Sequence, residues 1–330
     1  MEPQVKRLKG SDCGGSDSWV AEPVLSDEQS ADVELVAVYA APVLDRKQTS
    51  RLVRQLNAVF PLDGLQHLKR VRTARDQNSP HPLEVLLCRS GEAADAAELG
   101  SLLPSDGNSW EGLGRPFVVL VPARPPLTRP QYQQASSFWP TSFHEDKRVT
   151  EALRGALFSP QQRVAMTSFM VAAVTAARAA AQLGMEAVGA AVVDPETERV
   201  VAVGHDLRGE HPLLHAVMVC IDLVARSQGG GWYRNQNRYP ACSFAPAGPQ
   251  GGAEPYICTG YDLYVTREPC AMCAMALVHS RIGRVFYGTG SAHGALGSRM
   301  KIHVHKDLNH RFQVYSGVLR GECQALQGDA

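Results

Sequence analysis

The sequence predicts an α/β protein in two folded parts, a small ferredoxin-like α/β domain followed by an α/β/α three-layer domain. Three observations predict it. Strand-like and helix-like apolar spacings alternate along most of the chain. The pattern changes character near residue 150, across a Pro-rich stretch. The length of 330 residues is long for one domain and comfortable for two.

Residues 1–30 are rich in Gly, Ser, Asp and Glu and read as a disordered tail. Segment 33–41 (VELVAVYAA) is a strand. Segment 46–60 carries Leu52, Val53, Leu56, Val59 and Phe60 at helical spacing. Segment 65–71 is a weak strand and 83–89 (LEVLLCR) a strong one. The Ala/Glu/Leu-rich 92–103 is helical, and 116–122 (PFVVLVP) is a strand. The order β-α-β-β-α-β is that of a ferredoxin-like sandwich and places the first domain at 31–125. Pro125, Pro126, Pro130 and Pro140 make 126–158 a linker or extended arm. Its Tyr132, Phe138, Trp139 and Phe143 predict that it packs on a neighbouring surface.

The second domain is expected at 159–330. Residues 161–183 form a long helix, and 188–193 (VGAAVV) with 199–203 (RVVAV) form a hairpin turned by DPETE. A helix at 213–226 follows, then a Gly/Pro/aromatic-rich inserted loop at 228–257. Strand 263–266, helix 270–280 and strand 284–287 come next, ending in a polar, His-rich tail. These elements stack as α/β/α.

Composition narrows the function. Hydrophobic residues make up 44% and charged residues 20%, which excludes wholesale disorder and fibrous repeats. Lys plus Arg and Asp plus Glu number 33 each. Bulk charge therefore gives no nucleic-acid footprint. The N-terminus has no apolar run after its charges, so no secretory signal is expected. The most apolar stretch, 166–185, carries Arg178 and reads as a core helix, so no membrane partner is expected. Eight cysteines without a secretory signal predict reduced thiols.

The strongest motif comes in two pieces. His215 stands in HPLLHAV at a helix start, and Cys270 and Cys273 stand in REPCAMC, running from a strand into a helix. Cysteines two residues apart at a helix start reach one ion together, and the helix N-terminus favours their thiolates. Imidazole and thiolate suit tetrahedral Zn2+, and three protein ligands leave a fourth position open.

His215-Ala216 followed by the run EPCAMCAMALVHSRI (268–282) resembles the cytidine/deoxycytidylate deaminase superfamily over about 165–315. More narrowly, it resembles the eukaryotic tRNA-specific adenosine deaminases. The segment 256–264 (YICTGYDLY) and the N-terminal domain point to their third, non-catalytic member. The resemblance implies a cytidine-deaminase-like fold and a heterodimer with a catalytic deaminase subunit. It also implies tRNA as the other partner, with wobble adenosine converted to inosine. Val217 departs from the family, which places there the Glu that shuttles protons from zinc-bound water. The chain alone is therefore expected to be inactive, with no catalytic residue of its own. Asp206 is a second departure, standing where active relatives carry Asn. An autonomous deaminase using another base remains the alternative, with Glu210 as a candidate, while Asp222, five residues past Val217, faces the wrong way around the helix. Cys323 or the C-terminal carboxylate could supply the fourth ligand.

Residues 46–75 hold Arg46, Lys47, Arg51, Arg54, Lys69, Arg70, Arg72 and Arg75 against Asp63 alone. One sign of charge predicts a phosphate-binding surface for RNA. Arg299, Lys301, His303, His305 and Lys306 could extend it. The aromatics of the inserted loop could stack bases or cover a dimer interface. No basic signal decides between nucleus and cytoplasm, and both are expected.

Overall fold

The computed structural model describes residues 19–74, 80–90, 110–232, 238–245 and 256–327. The chain divides into two units, one joining the segment up to Leu25 to everything from Glu151 onward, the other spanning Ser26–Thr150. The elements begin with β1 (Glu22–Pro23), α1 (Asp27–Ser30), β2 (Leu35–Pro42), α2 (Thr49–Val59), β3 (Val71–Thr73), β4 (Leu83–Arg89) and β5 (Phe117–Pro122). Next come α3 (Arg129–Phe138), α4 (Lys147–Leu153), α5 (Pro160–Gln182), β6 (Gly189–Asp194), β7 (Arg199–His205) and α6 (Ala216–Ser227). The chain continues with β8 (Ser243–Phe244), β9 (Asp262–Arg267), α7 (Ala271–His279), β10 (Arg284–Thr289), β11 (Gln313–Ser316) and α8 (Arg320–Ala325).

In the Ser26–Thr150 unit four strands lie in the order β3-β4-β2-β5, every neighbour antiparallel. β2 and β3 thus run parallel with β4 between them, which is the split βαβ order expected. α2 buries Leu52 and Leu56 against Tyr39, Val85 and Leu87. The expected strand 65–71 is displaced. Leu65 and Leu68 lie outside any strand, Leu68 making a lone β-bridge with Thr141, and both pack with Leu86 and Val121, while Val71–Thr73 pairs with β4. The expected helix 92–103 lies outside the described residues.

The stretch 126–158 is not a linker. Thr128 and Gln131 form a capping box, and Pro130 falls in the first turn of α3, where its missing N–H costs little. Trp139 is fully buried with Val38, Leu86 and Val121, and its indole N–H donates to the Lys69 carbonyl at 2.6 Å. The prolines mark a helix start here, not a break.

The second unit has seven strands in the order β1-β11-β10-β9-β6-β7-β8. β9, β10 and β11 are parallel, and the remaining pairs are antiparallel. On one face α5 sets Met166, Met170, Ala173 and Ala177 against Tyr264, Phe286 and Tyr315, with Cys323 of α8 in the same cluster. On the other face α6 and α7 bury Val217, Cys220, Leu223, Ala274 and Leu277 over Ala190, Val192, Leu263 and Val285. The three layers expected are present. α5 is long and apolar enough by length and composition to cross a membrane, yet its apolar stripe is spent on this sheet.

Two expectations need correction. The 1–30 tail is not wholly unstructured, because Glu22 and Pro23 pair with Ser316 and Tyr315 as β1. The polar tail after 287 supplies β11 and α8. Polar loops hid these short elements from periodicity.

Candidate metal centre

His215 is the N-cap of α6 and Cys270 the N-cap of α7, both with extended backbone. The expected starts at 213 and 270 move to Ala216 and Ala271, so Pro269 precedes the cap rather than opening the helix. Neither side chain makes a capping hydrogen bond, and the two turn toward each other instead. Cys273 lies one turn into α7 and is buried. The donor atoms of His215, Cys270 and Cys273 all lie within 4.8 Å of one another. His215 Nδ1 is 3.6 Å from Cys270 Sγ. Tetrahedral zinc with ordinary Zn–N and Zn–S bonds separates nitrogen from sulfur by about 3.6 Å. The donor set therefore fits that ion in both chemistry and spacing.

The thiols are electrostatically unequal. Cys270 is lowered to about 5, first by the Cys273 thiol and then by the backbone N–H groups of Cys273 and Met272, with His215 adding to them. Cys273 is pushed up by the same contact and by burial. The helix N-terminus favours the thiolate at Cys270.

Val217 is 3% exposed and packs in the apolar cluster that contains Cys273 and Leu214. Asp206 is buried, accepts the Arg208 backbone N–H at 3.0 Å and pairs with Arg208 Nε at 2.8 Å. Arg208 reaches Glu186 at 3.5 Å, and Arg267 meets Glu186 at 2.8 Å. Arg267 holds the Glu186 carboxyl below its usual range. The substitute bases are engaged elsewhere. Glu210 accepts from the Tyr239 hydroxyl at 2.5 Å and from Arg238 at 2.9 Å. Asp222 accepts the Trp232 N–H at 2.6 Å. Cys323 packs with the α5 layer, across the sheet from His215, and is not a fourth ligand. The C-terminal carboxylate lies outside the described residues.

The basic set divides. Arg46, Lys47, Arg54 and Lys69 are exposed, and Arg51 is half-buried against Gln48, Gln55 and the Glu111 carbonyl. Arg70 is a correction. Its guanidinium donates to the carbonyls of Leu56, Phe60 and Leu87, closing the end of α2, and burial lowers it to about 10. Arg72 is another, since it pairs with Glu84 at 2.7 Å, donates to the Phe138 carbonyl and lies 3.9 Å over Trp139. Arg75 lies outside the described residues. His303 is buried and extends no surface. In the inserted loop Tyr239 is buried and Trp232 is 84% exposed. Tyr233 and Arg234 lie outside the described residues.

Sequence reasoning passed over Glu268, which is 4% exposed and ringed by donors from 291–298. The available signal was the run GTGSAHGALGS, whose glycines allow close approach.

Residues 164–289 match the cytidine and deoxycytidylate deaminase zinc-binding region. Residues 36–139 match the tRNA-specific adenosine deaminase TAD3 N-terminal domain. A Danio rerio protein named "Probable inactive tRNA-specific adenosine deaminase-like protein 3" is 56% identical over 336 residues, covering 99% of each chain. The Homo sapiens protein of that name is 60% identical over 326 residues, covering 94% of this chain and 93% of the relative. The Schizosaccharomyces pombe "tRNA-specific adenosine deaminase subunit tad3" is 32% identical over 262 residues, covering 77% and 75%. The donor set of the matched zinc-binding region, the N-terminal domain match and the likenesses to the Danio rerio and Homo sapiens proteins over nearly their full length place the chain in the TAD3 family of tRNA-specific adenosine deaminase proteins.

Proposed function

We propose that this chain is the non-catalytic subunit of a heterodimeric tRNA adenosine deaminase that converts wobble adenosine to inosine. It binds and presents tRNA and supports the catalytic partner. One observation carries the reading: an intact three-donor site has Val217 beside it, two residues past His215, where the superfamily carries its proton-shuttling Glu. Valine moves no proton, and general acid–base catalysis contributes roughly 10²- to 10⁴-fold. The resident ion is Zn2+ held by His215, Cys270 and Cys273. When bound it ties the starts of α6 and α7 together and contributes folding free energy. The autonomous reading loses support because Glu210 and Asp222 are bonded away from the centre.

Incubation with unmodified tRNA tests this. The chain alone forms no inosine, the heterodimer forms it, and replacing the partner's catalytic Glu by Ala abolishes it. Inosine from this chain alone would sink the proposal. Cys273→Ala is expected to lose zinc and lower the melting temperature, read by metal analysis and calorimetry. Full zinc at unchanged stability would remove the structural role of the ion.

A further inference from the structure

Glu268 directly follows β9, the strand that delivers Cys270, and stands two residues before that ligand. Its side chain turns into the protein and is 4% exposed. Oε1 accepts the backbone N–H groups of Leu296 and Ser298, each at 2.9 Å. Oε2 accepts the Ser291 N–H at 3.1 Å and the Ser298 hydroxyl. Four donors thus converge on two oxygens, a pattern that an acceptor-only carboxylate satisfies and an amide does not.

The segment held this way runs beside the ligand. Gly294 forms a β-bridge with Cys270, and the Ala295 N–H donates to the Pro269 carbonyl at 2.9 Å. A Cβ on Gly294 would overlap the Glu268 carboxylate. Glycine there lets the backbone close on the carboxylate, and the closed backbone in turn lies along Pro269 and Cys270.

We propose that Glu268 is a positioning residue of the metal centre, whose carboxylate clamps 291–298 against Cys270 and so fixes that ligand. The inference rests on the zinc reading above and deepens it. Groups that orient metal ligands without touching the metal change affinity by roughly 10- to 100-fold when removed.

The test uses the full chain, with zinc affinity measured by chelator competition and the cobalt-substituted form read by its thiolate absorption. Glu268→Gln is expected to weaken zinc about 10- to 100-fold and to shift the cobalt spectrum. Glu268→Asp should recover part of both, and Ser298→Ala should give a smaller loss. Asp262→Asn is the control. Asp262 is equally buried but opens β9, at the end away from Cys270, and pairs with Arg284 there, so its loss should lower stability and leave the cobalt spectrum unchanged. Wild-type zinc affinity and spectrum in Glu268→Gln would overturn the inference, as would an equal spectral shift in Asp262→Asn. Should Glu268→Gln not fold, an unchanged spectrum in both Glu268→Asp and Ser298→Ala would overturn it. A wild-type chain without zinc would overturn the metal reading itself.

Discussion

On the proposed reading, Val217 is the side chain that separates the donor set from its chemistry. Its isopropyl group fills apolar space that the cluster around Cys273 closes on. Val217→Glu therefore puts a carboxylate into a buried, unpaired position before it restores any proton transfer. We expect a loss of about 1–3 kcal/mol in urea unfolding, with no inosine from the chain alone. His303 bears on pH. Its Nε2–H donates to the Val24 carbonyl at 3.0 Å, its Nδ1 has no partner among the described residues, and burial lowers its pKa from 6.5. Above that value folded and unfolded chains both hold it neutral, and its contribution is complete. Below it the unfolded chain takes a proton that the folded chain refuses, so stability falls with pH. Urea midpoints between pH 7.5 and 5.5 should fall less steeply for His303→Gln than for wild type. At this scale Cys270 and Cys273 were legible because two residues separate them, whereas His215, 55 residues from Cys270, was legible only as part of the family resemblance. Glu268 was not, because its partners lie more than twenty residues away and a lone Glu carries no pattern.

Elements were legible where periodicity repeats. α5 and the β6–β7 hairpin emerge near their expected ends, because apolar residues recur over two or more turns or pairs. β1, β8 and β11 are two to four residues long and offer no period to count. Capping decided 126–158, where Thr128 and Pro130 start a helix that proline content alone would deny. A close helix–strand joint lies at Gly189, where α5 crosses β6. A Cβ at Gly189 would collide with the Ala173 carbonyl oxygen and the Ala177 nitrogen. Both belong to helical backbone, which cannot swing aside as a side chain does. Gly189→Ala should lift α5 from the sheet and cost about 1–3 kcal/mol, lowering the melting temperature without changing the donor set. An unchanged melting temperature would show that the helix gives way freely.

Across the whole molecule the net charge of zero conceals a local excess of one sign in 46–75. The structure withdraws Arg70 and Arg72 from that excess and leaves Arg46, Lys47, Arg54 and Lys69 facing solvent. If the exposed four hold phosphates, Arg54→Ala and Lys69→Ala should each weaken tRNA binding and flatten the salt dependence by about one unit of slope. Arg72→Ala should instead lower stability and leave the slope alone. Filter binding across a salt series separates the two. The edge pairing of Glu22 with Ser316 has a consequence for synthesis. The first described strand to leave the ribosome must wait for the last, about 290 residues later, which is roughly 15–60 s at ~5–20 residues per second. The four strands of the Ser26–Thr150 unit all emerge within that wait. The larger sheet can be completed only after residue 316 has emerged, so a ribosome stalled before β11 holds that sheet still open at the edge where β1 must pair.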